Sequence, residues 1–143
     1  MDLVVAVYNE NIDWINLIKN KRIFLYLKNP DRYDEIQTKF PNAIIEILPN
    51  IGRESHTYVY HISKNYDYLA NHTVFLQGNP FDHCRNVLEL LEPADIKFFG
   101  RIHTSDENGN PDHSGLPLSE LYMELFGKTQ FNFTIEAGAQ FMI

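Results

Sequence analysis

The chain is predicted to be an α/β domain built on a mostly parallel sheet with helices on both faces. Three features of the sequence carry that prediction. Short apolar, β-branched runs recur along the chain, and segments of helical period separate them. The polar residues of unusual type collect in the loops that follow those runs. In open parallel sheets, ligands bind beyond the carboxyl ends of the strands.

Leu3–Val7 is a continuous β-branched run of the kind buried on both sheet faces. Asn11 is placed to cap a short helix through Lys19, with Trp14, Ile15 and Ile18 inward. Ile23–Leu27 is a second strand. Asn29, Pro30 and Asp31 then read as cap, first-turn proline and first-turn acid of a helix reaching Phe40. Pro41 stops that helix, and Ala43–Leu48 is a third strand. From Gly52 to Leu69, the residues Tyr58, Val59, Ile62, Tyr66 and Leu69 recur at helical spacing. Thr73–Leu76 is a fourth strand, followed by a helix over His83–Glu92 with Val87, Leu88 and Leu91 inward. Ile96–Phe99 is a fifth strand, and Arg101–Leu116 reads as a loop rich in Asp, Asn, Gly, Pro and His. Leu118–Phe126 is a helix ended by Gly127. Phe131, Phe133 and Ile135 alternate with polar residues in a half-solvated strand, and Gly138–Ile143 makes the last one. No repeat or linker interrupts residues 1–143, which are expected to form one domain.

The composition narrows the function classes. With 12 Lys and Arg against 19 Asp and Glu, the net charge is -7, and the cations are scattered. A nucleic-acid binder needs a basic face, so nucleic acid is not an expected partner. A small anion needs only two or three local donors. The single cysteine, Cys84, excludes an internal disulfide framework and a Cys-rich zinc site. No basic region precedes the first apolar run, and no run approaches the roughly 20 residues that span a bilayer. A soluble, cytoplasmic protein is expected, and a bare sheet edge near the C-terminus would favour a homo-oligomer.

Two turns concentrate the candidate chemistry among the strand-end segments Tyr8–Glu10, Lys28–Asn29, Pro49–His56, Gln77–His83 and Gly100–His113. In Pro49–His56 a strand end runs into a helix, whose free N–H groups favour an anion. Gly52 permits close approach and Arg53 can grip phosphate in a fork. Ordinary capping, with Asn50 as N-cap and Arg53 solvated, accounts for the same residues. In the second turn, Gln77, Gly78 and Asn79 lead to an Asp82–His83 pair. That pair suits Mn²⁺ or Mg²⁺ bridging two phosphates, or a proton transfer; a turn with Asp82 as helix cap is the other reading. Tyr8, Asn9 and Glu10 would meet a base or ribose, or form a plain polar turn. Glu136, just before Gly138, is a candidate base or a solvated turn residue. His61, beside Tyr60 and Ile62, reads as a packed core histidine, and no three histidines have zinc-ligand spacing. Cys84 has no paired histidine to make it a nucleophile.

Taken together, VVAVYNENIDWI, LPNIGRESHTYVYHI, TVFLQGNPFDH, NGNPDHSGLPLSELYMELFG and AGAQFMI resemble, over nearly the whole chain, a family of uncharacterised domains similar to GT-A glycosyltransferases. The resemblance implies a nucleotide-sugar donor and a glycan or other hydroxyl acceptor, with no organic cofactor. Tyr8, Asn9 and Glu10 would meet the nucleobase and ribose. Asn50, Gly52 and Arg53 resemble the Asn-x-Gly stretch near ribose and phosphate, and Gln77, Gly78, Asn79 and Asp82 occupy the place of the Asp-x-Asp metal motif. No Asp-x-Asp exists there, so Asp82 and His83 would take the metal, or the diphosphate is neutralised without one. The base of many inverting members lies beyond the strand that Gly138–Ile143 resembles, where this chain stops. The carboxylate is absent, or Glu136 or Asp112 replaces it, or the sequence is a truncated form. A binding module without turnover, and a metal-dependent hydrolase using Asp82, His83 and His103, are the rival expectations.

Overall fold

β1 (Asp2–Val7) is buried along its whole length, and it lies inside the sheet with a parallel partner on either side. The structure is a computed structural model describing residues 1–91, 97–109, 115, 117–137 and 140–143, with the backbone alone for 97–98, 101–103 and 134–137. The chain divides into two compact units, 1–99 with 138–143, and 100–137.

The first unit holds a six-stranded sheet in the order β3-β2-β1-β4-β8-β5. β2 (Arg22–Leu27) and β4 (Thr73–Gln77) flank β1 in parallel, as the buried apolar runs predict, and the partly exposed β3 (Ile44–Ile47) pairs in parallel with β2. Side chains of β1 alternate between two cores. Leu3, Val5 and Val7 face Trp14, Ile15, Ile36 and Phe40, from a 3-10 turn (Asp13–Leu17) and helix α1 (Tyr33–Lys39). Val4 and Ala6 face Tyr58 of helix α2 (Arg53–Lys64), together with Phe24, Tyr26 and Phe75. Helices therefore cover both faces of the parallel part. Asn29 caps as expected, accepting from the Asp31 N–H at 3.1 Å. The short helix expected from Asn11 to Lys19 is instead the 3-10 turn Asp13–Leu17, with Ile12 at its cap and Asn11 one residue earlier accepting from the Asp13 N–H at 2.8 Å.

The sheet is mixed and not mostly parallel throughout. β8 (Phe141–Met142) inserts antiparallel between β4 and β5 (Lys97–Phe98). Fully buried Met142 joins the first core, and Phe141 stacks on Phe75 at 4.8 Å. The helix expected over His83–Glu92 does not form in its described residues; two 3-10 turns, Pro80–Asp82 and Val87–Leu90, stand there. Backbone N–H groups of Cys84 and Val87 close short bonds onto Pro80 and Cys84, and burial of Val87 fixes the segment without a regular helix.

α2 is also shorter than the expected Gly52–Leu69 helix, and it turns a different face inward. Asn65 ends it by donating to the carbonyl of His61 at 2.9 Å, and a 3-10 turn follows at Tyr66–Tyr68. Thr57, Tyr58 and His61 are buried, whereas Val59 and Tyr66 lie in solvent. His61 is the packed core histidine expected. Its Nδ1 lies 2.9 Å from the Tyr26 hydroxyl, and its ring meets Phe24 edge-on at 4.7 Å. That bond inside an aromatic cage explains why a histidine sits inward where valine does not.

The second unit contains the hairpin of β6 (Arg101–Asp106) and β7 (Asn132–Ala137), with α3 (Leu118–Phe126) between them in sequence. β6 replaces the first part of the expected Arg101–Leu116 loop. Its strand is stabilised by cross-strand pairing with β7, which no local pattern in a polar segment announces. α3 ends at left-handed Gly127, as read from the sequence, and Tyr122 meets Phe133 at 5.7 Å. No helix among the described residues is long and apolar enough to cross a membrane.

Candidate functional site

Strand order reverses between β1 and β4. β2 and β3 extend the sheet on one side of β1, and the chain then returns to place β4 on the other. The two connections leave β1 and β4 in opposite directions, which opens a crevice at their carboxyl ends. A cleft of about 200 Å³ lies there, lined by Ala6, Val7, Tyr8, Glu10, Lys28, Asn50, Arg53, Glu54 and Gln77.

Each wall has a local reason for its shape. Past β1, the Tyr8 N–H donates to Glu10 Oε2 at 2.7 Å, which curls the carboxylate back over the strand end. A Cβ built on Gly78 would lie 2.6 Å from that oxygen, so only glycine lets Glu10 sit there. Arg32 holds the same turn from behind, donating to the Glu10 carbonyl at 2.9 Å, and it pairs with Glu35. Asn9 points elsewhere, accepting from Asn29 Nδ2 at 2.7 Å.

Past β3, the backbone takes two left-handed residues in succession, Gly52 at φ +60° and Arg53 at φ +49°. For arginine that conformation costs about 1–2 kcal/mol. The turn brings α2 in with its first N–H groups toward the cleft end of the sheet. Gly52, and not Asn50, occupies the cap position, and no side chain caps the helix. The side chains of Asn50 and Arg53 make no hydrogen bond or ion pair with any described residue, so both remain available at the cleft.

Lys28, directly after β2, was not singled out from the sequence as a binding residue. It is only 6% exposed, and its ammonium donates to the carbonyls of Pro49 at 3.1 Å and Ile51 at 3.0 Å and to His56 Nδ1 at 2.9 Å. Burial lowers its pKa from the ordinary lysine value, with the Glu54 carboxylate opposing that shift. The signal for it was a lysine closing an otherwise apolar run, which by itself does not distinguish a solvated strand end from a buried cation.

The turn past β4 contributes Gln77 to the cleft but is otherwise tied into the fold. The carbonyls of Gly78, Asn79 and Pro80 accept from Trp14 Nε1 at 2.9 Å, Gln77 Nε2 at 2.7 Å and Gln140 Nε2 at 3.1 Å. Asp82 and His83 are exposed and do not line the cleft. Among the described residues no three His, Cys, Asp or Glu side chains gather as a metal would require. A Mn²⁺ or Mg²⁺ at Asp82 and His83 would thus draw its remaining ligands from phosphate and water. Asp112 lies outside the described residues, as do the side chains of Glu136 and His103.

Of the expected residues, the fold assembles Tyr8, Glu10, Asn50, Arg53 and Gln77 around one cleft, with Gly52 and Gly78 shaping its walls. Asn9, Asn79, Asp82 and His83 lie outside its lining. The chain belongs to a protein family described as being of unknown function, DUF3431, whose model matches residues 3–92. That span carries all four parallel strands and every residue lining the cleft. No curated protein and no solved structure matches the chain.

Proposed function

We propose that this DUF3431 protein binds a nucleotide sugar in the β1/β4 cleft and transfers the sugar to a hydroxyl acceptor, in the manner of a GT-A glycosyltransferase. The observation that carries the reading is the position of the cleft at the switch in strand order, with Arg53 unpaired at its rim. A diphosphate is met by the guanidinium and by the start of α2. Tyr8, Glu10, Asn50 and Gln77 supply a ring, a carboxylate and two amides for base and ribose. In the reaction, the acceptor oxygen bonds to the anomeric carbon while the bond to the nucleoside diphosphate breaks. A carboxylate takes the acceptor proton. Arg53 stabilises the charge on the departing diphosphate.

Titration calorimetry with UDP and GDP, with and without Mn²⁺, tests the reading. Binding of at least one, lost in Arg53→Ala, supports it; a folded protein that binds neither rules it out. A second reading, recognition without turnover, is favoured by the turn past β4, which has no Asp-x-Asp and whose carbonyls are committed to the fold. Donor hydrolysis separates the two, because a binder leaves the nucleotide sugar intact.

A further inference from the structure

We infer that Lys28 is the positioning residue of the anion-binding turn: its buried ammonium clamps Pro49, Ile51 and His56 so that Asn50 and Arg53 are held open toward the cleft. The inference rests on the proposed nucleotide site for its functional meaning, and on geometry for the clamp itself. The three acceptors bracket the turn. Pro49 and Ile51 flank Asn50, and His56 lies one helical turn beyond Gly52, to whose carbonyl its own N–H is bonded at 3.1 Å. Lysine has three N–H donors, and all three are spent here. Lys28 therefore has no free proton donor for a ligand and acts through the turn it holds.

The clamp also accounts for the strained backbone. Left-handed Gly52 and Arg53 persist only where their surroundings over-determine them. On one side, Lys28 is anchored by its own N–H to the Val7 carbonyl at 2.7 Å, at the end of the central strand. On the other, His56 packs so close to Gly52 that a Cβ there would lie 2.8 Å from the His56 Cβ. An ammonium donating to Nδ1 requires that nitrogen to be unprotonated, so the His56 ring proton sits on Nε2.

Lys28→Met tests this, because it keeps the length of the side chain and removes the donors. In the wild-type protein, long-range nitrogen–proton NMR should show His56 as the Nε2–H tautomer. In Lys28→Met that preference should be lost, and exchange of the bonded Ile51 and His56 amides should quicken about tenfold, with β1 amides unchanged. UDP affinity should fall about tenfold, the scale of a lost bond to a charged group. An Nδ1–H tautomer in the wild type, or unchanged turn exchange in Lys28→Met, overturns the clamp. If Lys28→Met does not fold, His56→Ala decides: it removes one acceptor, and unaltered exchange at Ile51 overturns the clamp equally. A wild type that binds no UDP defeats the nucleotide reading while the tautomer and exchange results still judge the clamp. A wild type and Lys28→Met that bind UDP alike defeat the clamp alone.

Discussion

The turns past β3 and β4 look alike as sequence, each mixing Pro, Asn and Gly with charged residues, yet the structure uses them in opposite ways. Past β4, neutral side chains take up the carbonyls of Gly78, Asn79 and Pro80, two of them, Trp14 and Gln140, from distant parts of the first unit and one, Gln77, from the turn itself. Past β3, a single buried cation holds the backbone, and the side chains of Asn50 and Arg53 have no partner among the described residues. One turn is part of the core. The other is a loop presented by the core. What separates them is where their polar groups find hydrogen bonds, since both must satisfy the same demand on buried carbonyls.

The largest break in that contrast should come from Trp14→Ala. It removes a buried ring that meets Phe81 edge-on at 6.1 Å and leaves the Gly78 carbonyl without its donor. A loss of about 3–5 kcal/mol is expected by urea denaturation, as for other buried aromatic truncations. Gly52→Ala attacks the other turn through φ +60° and the contact with the His56 Cβ. Its cost should be about 1–3 kcal/mol in the same measurement.

A pH titration sharpens the comparison at the far end of α2. Burial pulls His61 below its ordinary value of 6.5, so the unfolded chain takes up a proton before the folded one does. Stability from His61 should be complete above that value and decline as pH falls below it. His61→Phe should flatten this part of the profile, and an unchanged slope would place the acid sensitivity elsewhere. The Tyr26 hydroxyl beside it is raised to about 12, chiefly by burial, and stays protonated over the same range. The smallest effect on stability belongs to Arg53→Ala. An exposed side chain with no partner among the described residues should change the stability measured by urea denaturation by less than about 0.5 kcal/mol, although nucleotide binding is lost. Should Arg53→Ala unfold the protein, the two turns would not differ as described.

Much of this was legible from local pattern. Leu3–Val7, Ile23–Leu27 and Thr73–Leu76 read as buried parallel strands because every position is apolar or β-branched, and Gly127 reads as a helix stop because left-handed backbone favours it. The location of the cleft followed from the strand-end rule. Other features left no local trace. β6 is polar and owes its strand to cross-strand pairing, and Val87 and Leu91 sit at helical spacing in a segment that folds as short turns.

Sequence alone determined that a sheet of buried parallel strands would present Tyr8–Glu10, Pro49–His56 and Gln77 at one end, since periodicity and strand direction are properties of short segments. Only the tertiary structure decided that β8 would enter antiparallel beside β4, that His61 would bond to Tyr26, and that Lys28 would be buried 28 residues from its imidazole partner. Each depends on an acceptor, ring or strand edge supplied from far along the chain. A buried charge or imidazole is tolerated only once those partners are in place.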